Sequence, residues 1–239
     1  MGGGWWEAAG FAFHREETQA LIEKAPACVI DMSFDHLMQP REISSLALQI
    51  RHAYGYNKRA LRPYKMYLTS LDEEKGLTCQ LLKKDGGYDR WLMCKTSKHY
   101  VETFGNEKAV YLTADSETVL ETLDDNTTYI IGGLVDKNRY KGLCFEEAKK
   151  REVRTARLPI GKYLEGNSRK VVTVNQVFHM MLHFREVQDW EKAFLAVMPQ
   201  RKGYKARGSK RSRKDDRTMP TSTSADATAA ATSGPATSI

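Results

Sequence analysis

The 239-residue chain lacks any apolar run approaching the roughly 20 residues that span a bilayer. Its first residues also lack the basic flank, apolar core and small-residue cleavage site of a secretory leader. The expectation is a soluble, intracellular protein with no membrane partner. Cysteine is scarce. Cys28, Cys79, Cys94 and Cys144 form no C-x-x-C pair, which argues against a zinc ribbon or disulfide framework and fits a reducing compartment. Neither G-x-G-x-x-G nor G-x-x-x-x-G-K-[ST] occurs, so the two commonest nucleotide cradles lack their glycines, and there is no G-x-S-x-G elbow. His179 and His183 are four apart, but Met180-Met181-Leu182 between them brings no acid. They read as flanks of a core stripe, and no metal site is expected.

Acid is missing where base is not. From Ile43 to Leu71 the chain carries Arg51, Lys58, Arg59, Arg62 and Lys65 without one Asp or Glu. A one-signed stretch of this kind is either a solvated face or a surface that follows phosphates. The formal charge of +7 is concentrated late, because Arg201 to Arg217 holds nine Lys or Arg against two Asp. Residues up to Gln200 are close to neutral. From Thr218 onward Ser, Thr and Ala dominate with almost no large apolar side chains, a composition that cannot offset the entropy of ordering.

What the sequence does contain is a set of short apolar runs that end in turn chemistry. The most telling is Tyr129-Ile130-Ile131-Gly132-Gly133-Leu134-Val135-Asp136, a buried strand that stops at two glycines and delivers a carboxylate. Ala27 to Asp31, Lys65 to Ser70 and Lys108 to Thr113 read as further strands, and Arg90 to Met93 and Thr155 to Ile160 as shorter ones. Helical spacing predicts a helix opened by Pro40, another holding Val119, Leu120 and Leu123 behind an Asp115 or Ser116 cap, and one over Phe145 to Arg151. A long one follows a Ser168 cap with Val171, Val174, Val177, Phe178, Met181 and Leu182 on one side, and a last is capped by Asp189. Residues 1–25 show no sustained period and are expected to be poorly ordered, Trp5 and Trp6 included. The alternation of strand and helix implies an α/β domain with a mostly parallel sheet covered on both faces. Ligands then gather at the strand exits.

Those exits are Thr113-Ala114-Asp115-Ser116, Gly132 to Asp136, Leu158-Pro159-Ile160-Gly161 and the turn Gly166-Asn167-Ser168. Asp31 to Met38, Asn57 to Pro63, Tyr111 to Ser116, Gly132 to Asp136, Ala156-Arg157-Leu158-Pro159 and Asn167-Ser168-Arg169-Lys170-Val171 occur in an order that closely resembles the eukaryotic tRNA N1-methyltransferases acting on guanine 9, a branch of the SPOUT superfamily. The likeness covers residues 26–203 and leaves 204–239 as a basic, then Ser/Thr/Ala-rich disordered tail. It implies a C-terminal trefoil knot, S-adenosylmethionine bound in the knot, tRNA as partner and action as a monomer in the nucleus, nucleolus included, and the cytosol. Carried over position by position, Leu112, Thr113, Gly132, Gly133, Cys144, Leu158, Pro159, Gly161, Asn167, Lys170 and Val172 would line the cofactor pocket. Asp136 matches the residue proposed as general base, needed because guanine N1 is protonated at neutral pH. The target base must leave its stack, and Arg51, Lys58, Arg59, Arg62, Arg201 and Lys202 would hold the phosphates meanwhile. One departure stands out: relatives carry a strongly basic N-terminal extension, whereas Met1 to Lys24 has only Arg15 and Lys24 as Lys or Arg. Two alternatives stay open, a noncatalytic tRNA-binding subunit and N1-methylation of adenine at the same position.

Overall fold

A computed structural model describes residues 15–165, 172–198 and 204–207. Trp5, Trp6, Asn167, Ser168, Lys170, Arg201, Lys202 and the tail beyond residue 207 lie outside them. Six strands make one sheet: β1 (Ala27–Asp31), β2 (Lys65–Thr69), β3 (Cys94–Lys95), β4 (Ala109–Leu112), β5 (Thr128–Gly132) and β6 (Arg154–Ala156). Their order is β3-β2-β1-β5-β4-β6 and all neighbouring pairs are parallel. Register sets the exits side by side. Asp31 lies between Thr69 and Gly132, and Leu112 between Ile131 and Ala156.

The two-residue period of the strands divides the core. Cys28, Ile30, Met66, Leu68, Val110, Leu112, Tyr129 and Ile131 face one side, where α2 (Pro40–Arg59), α3 (Leu77–Lys83) and α7 (Val174–Val187) supply Leu46, Ile50, Leu82, Phe178 and Met181. Val29, Ala109, Tyr111 and Ile130 face the other, against Tyr100 of α4 (Tyr100–Phe104) and Ala148 of α5 (Leu143–Lys150). A satellite cluster joins α6 (Ile160–Tyr163), the end of α7 and α8 (Trp190–Val197), with Trp190 stacked between Phe184 and Phe194 at 4.1 and 5.2 Å. The α/β, mostly parallel, doubly covered architecture expected from the sequence is therefore present.

Several local expectations change. No helix forms at Val119 to Leu123, because Leu120 donates its N–H to Arg157 O and Arg157 donates to Thr118 O, drawing the segment out beside the exit of β6. Arg90 to Met93 is not a strand, since Tyr88–Arg90 is a 3₁₀ turn and β3 starts at Cys94. Strand β6 ends at Ala156, and Ile160 opens α6 instead. Helix α7 begins at Val174 behind Thr173, whose N–H donates to Gln176 Oε1 at 3.0 Å in a capping box. Arg15–Glu23 forms a helix, α1, that buries Thr18 and Ile22. At the other end Tyr204 is buried and Lys205–Ala206 (β8) pairs antiparallel with Leu164–Glu165 (β7), so residues 204–207 belong to the folded body.

The α2–α7 seam carries a titration. His179 stacks on Tyr56 at 3.9 Å and 8°, with His183 4.7 Å beyond. Burial, helped by His183 and Arg59, pushes the His179 imidazole down to about 4. The unfolded chain then binds more protons than the native one between that value and the ordinary histidine value near 6.5, so stability is complete above that range and falls as pH drops through it. Discounted for partial solvent screening, the loss is about 1–2 kcal/mol. Urea denaturation at a series of pH values should show it, and His179→Phe, which keeps the stack without the proton, should flatten most of the slope.

Candidate functional site

At the exits of β4 and β6 a cavity of about 530 Å³ opens between Leu112, Thr113, Ala114, Val119, Leu158, Pro159, Ile160, Gly161, Val172 and Val177, with Glu121, Arg157 and Lys162 among its walls. This is within the usual range for small-ligand sites, and the lining is mainly apolar with main-chain amides at two strand exits. Three fastenings shape the walls. Lys162 Nζ pairs with Glu121 at 2.7 Å, Arg157 donates to Ser116 O at 2.9 Å, and Trp190 Nε1 donates to Glu121 O at 2.9 Å. Leu112, Thr113, Leu158, Pro159, Gly161 and Val172 from the sequence-derived set meet here. Val119, Glu121 and Val177 join them unannounced. Val177 reads in sequence as one more residue of a core stripe, and Val119 as part of a helix that does not form.

Gly132, Gly133 and Cys144 are not in that wall, and packing explains their residue types. A Cβ on Gly133 would stand 2.6 Å from Asp31 O, the acceptor of its own N–H at 2.8 Å. One on Gly132 would lie 2.7 Å from Cys144 Sγ and 3.1 Å from the Tyr111 hydroxyl. Beneath these glycines is a buried polar group in which Tyr111 donates to Asp31 Oδ2 at 3.1 Å and Ser33 donates to Asp31 Oδ1 at 2.5 Å. Burial, with the Asp31, Asp136 and Asp115 carboxylates nearby, pushes the Cys144 thiol up to about 11. That thiol stays protonated at neutral pH and is no nucleophile.

Asp136 heads the loop that leaves β5. It is half-buried, and its two carboxylate oxygens accept the N–H groups of Asn138 at 2.8 Å and Tyr140 at 2.7 Å. Lys137 and Asn138 take left-handed backbone angles, φ 53° and 65°, to let this happen. A carboxylate offers about four acceptor positions, so two remain. The loop is tied to the cavity rim, because Gly142 N–H donates to Asp115 Oδ2 at 3.2 Å and Thr113 Oγ1 donates to the same oxygen at 3.4 Å. On its other side Arg139 makes two bonds to Glu42, at 3.0 and 2.9 Å, and one to Leu37 O at 3.1 Å. These Arg139 bonds hold the Glu42 carboxyl below its usual range.

The basic residues divide. Lys58 and Arg59 are exposed at the end of α2. Arg51 is engaged in the fold, paired with Asp85 and donating to Leu81 O at 2.9 Å. Arg62 donates to Arg185 O at 2.9 Å and reaches Asp125 at 3.7 Å. Among the described residues no group of three His, Cys, Asp or Glu could hold a metal ion, and no helix is long and apolar enough to cross a membrane.

A family model described as tRNA (guanine(9)-N(1))-methyltransferase TRM10/TRM10A matches residues 11–203. The chain belongs to this family. Within the TRM10/TRM10A family, the human tRNA methyltransferase 10 homolog A is 42% identical over 176 residues, 73% of this chain and 51% of that protein. The tRNA (guanine(9)-N1)-methyltransferase of Schizosaccharomyces pombe is 42% identical over 178 residues, 73% of this chain and 58% of its own length. The chain thus spans about half the length of the curated relatives it matches. The solved complex of full-length spTrm10 with SAH superposes with a TM-score of 0.66 at 40% identity, covering 72% of this chain and 94% of that one. A dual-specific Trm10 from Thermococcus kodakaraensis shares the fold at TM-score 0.54 and 19% identity, covering 72% and 99%.

Proposed function

We propose that this TRM10-family chain transfers a methyl group from S-adenosylmethionine to N1 of guanine 9 in tRNA. The observation that carries the reading is the attachment of the Asp136 loop, through Gly142 and Asp115, to the rim of an apolar cavity at the β4 and β6 exits. The spTrm10 relative, 40% identical, was solved with SAH, the product of such a donor. The cavity suits that group, since its size is that of a small-ligand site and its mainly apolar lining can cover an adenine. Asn167 and Lys170 stay in the proposed cofactor set, and Arg201 and Lys202 in the tRNA set. When bound, the donor supplies an electrophilic methyl group. Asp136 accepts the N1 proton on one of its two remaining lone-pair positions, leaving the nitrogen pair free to form the new N–C bond.

The trefoil knot is part of the same proposal. Its support is the main-chain pairing of Arg157 with Thr118 and Leu120, which lays the stretch after β6 alongside the 113–127 connection. Action as a monomer in the nucleus and cytosol rests on the family resemblance. Mass-spectrometric mapping of a tRNA pool incubated with the chain and S-adenosylmethionine tests the function. N1-methylguanine at position 9 is expected. N1-methyladenine there would shift the substrate, and tRNA retention without any methylation would leave a noncatalytic binding subunit.

Exposure predicts which cations meet phosphates. Reversing Lys58 and Arg59 to Glu should weaken tRNA binding and reduce the slope of log affinity against log salt by about 1–2, near one for each phosphate no longer neutralised. Arg51→Gln should leave that slope unchanged and lower thermal stability instead. Filter binding across a salt series separates the two, and equal slopes for all variants would remove α2 from the interface.

A further inference from the structure

We propose that Tyr140, with the Arg139 guanidinium fixed against its ring, is the platform on which the purine extruded from tRNA stacks. The inference rests on the function proposed above and adds a binding surface to it. Tyr140 is the one aromatic residue among the large apolar side chains left exposed in the described structure, at 36%. Its position is tied to Asp136, which accepts its N–H at 2.7 Å. A ring so placed stands within one turn of chain from the carboxylate that takes the N1 proton.

The neighbouring side chain is held as a plane rather than left as a mobile charge. Arg139 lies 4.9 Å from the Tyr140 ring centre, and its two bonds to the buried Glu42 and its third to Leu37 O fix the guanidinium. Glu42 is itself anchored, because it accepts the Gln39 N–H at 2.8 Å in the capping box of α2, so the guanidinium is held against the start of a long helix. Unstacked bases bind on aromatic rings and guanidinium planes, because every base presents a π-face. Lys137 and Lys141 flank the pair and are exposed, and the loop brings no acid between Asp136 and Glu146, so its charge suits a phosphate chain.

The test uses the full chain and a tRNA transcript carrying 2-aminopurine at position 9, whose fluorescence falls when it stacks on a ring. Tyr140→Leu keeps the bulk and removes the π-face, and it should brighten the saturated complex and lower kcat/KM about 5- to 100-fold. Tyr140→Phe should recover most of both losses, and calorimetric SAH affinity should be the same for all three proteins. Equal behaviour of the Leu and Phe variants would overturn the platform. So would lost activity without brightening, which would make Tyr140 a support of the loop alone. A wild-type chain that neither binds nor methylates natural tRNA would instead remove the proposed function, and the platform with it.

Discussion

Asp136→Asn should lower single-turnover methylation of guanine 9 by about 10²- to 10⁴-fold, the usual contribution of a positioned general base, while calorimetric SAH affinity stays nearly intact. The substitution does two things, and both are readable. It removes the proposed proton acceptor, and it sets an NH₂ where one oxygen met a backbone N–H, at a cost of about 1 kcal/mol for a lost loop hydrogen bond. A tRNA with adenine at position 9 distinguishes them. Adenine N1 carries no proton, so any turnover on that substrate should fall far less than turnover on guanine. Equal losses on both bases would make Asp136 a loop anchor, and an unchanged rate on guanine would retire the base assignment.

Gly133→Ala should destabilise the domain by about 1–3 kcal/mol, the range for forcing a group into a packed site, and depress methylation further than the loss of fold predicts. The added Cβ would meet Asp31 O at 2.6 Å and Met32 Sδ at 3.2 Å. The first neighbour is main chain of the central strand and has nowhere to go. Relief has to come from β5 or from the chain after it, which carries Asp136. Thermal melts should show about 2–4 °C for each kcal/mol, against Gly86→Ala as reference, where an added Cβ meets nothing within 4 Å. Identical melting of the two variants would mean that β5 has more slack than its register implies.

Much of this is legible in the sequence where structure is local. Tyr129 to Ile131 reads as a buried strand from its β-branched and aromatic content, and Asp189 as a cap from its place before Trp190, where its side chain does accept the Lys192 N–H. Non-local bonds are what the chain conceals. The segment holding Val119 and Leu120 has helical spacing, yet its main-chain partner is Arg157, so one wall of the cavity goes unread. Arg51 stands in the acid-free stretch, and nothing there signals that Asp85, a turn beyond another helix, pairs with it. The Glu42–Arg139 pair joins residues 97 apart in the chain, and no period or motif signals it. Gly132 and Gly133 are prominent in sequence for a reason that packing supplies, which is why their prominence alone does not place them against a ligand.

The insertion of β5 between β1 and β4 has a consequence for biosynthesis. One flank of β1 is closed by β2 as soon as that strand emerges, but the other waits for Tyr129, roughly a hundred residues later. Throughout that interval the nascent chain would present an open ladder of unpaired amides on an apolar strand, the kind of edge that recruits foreign strands. Pairings so distant in sequence also form slowly. Chaperones that cover such edges during translation should therefore raise the yield of folded protein.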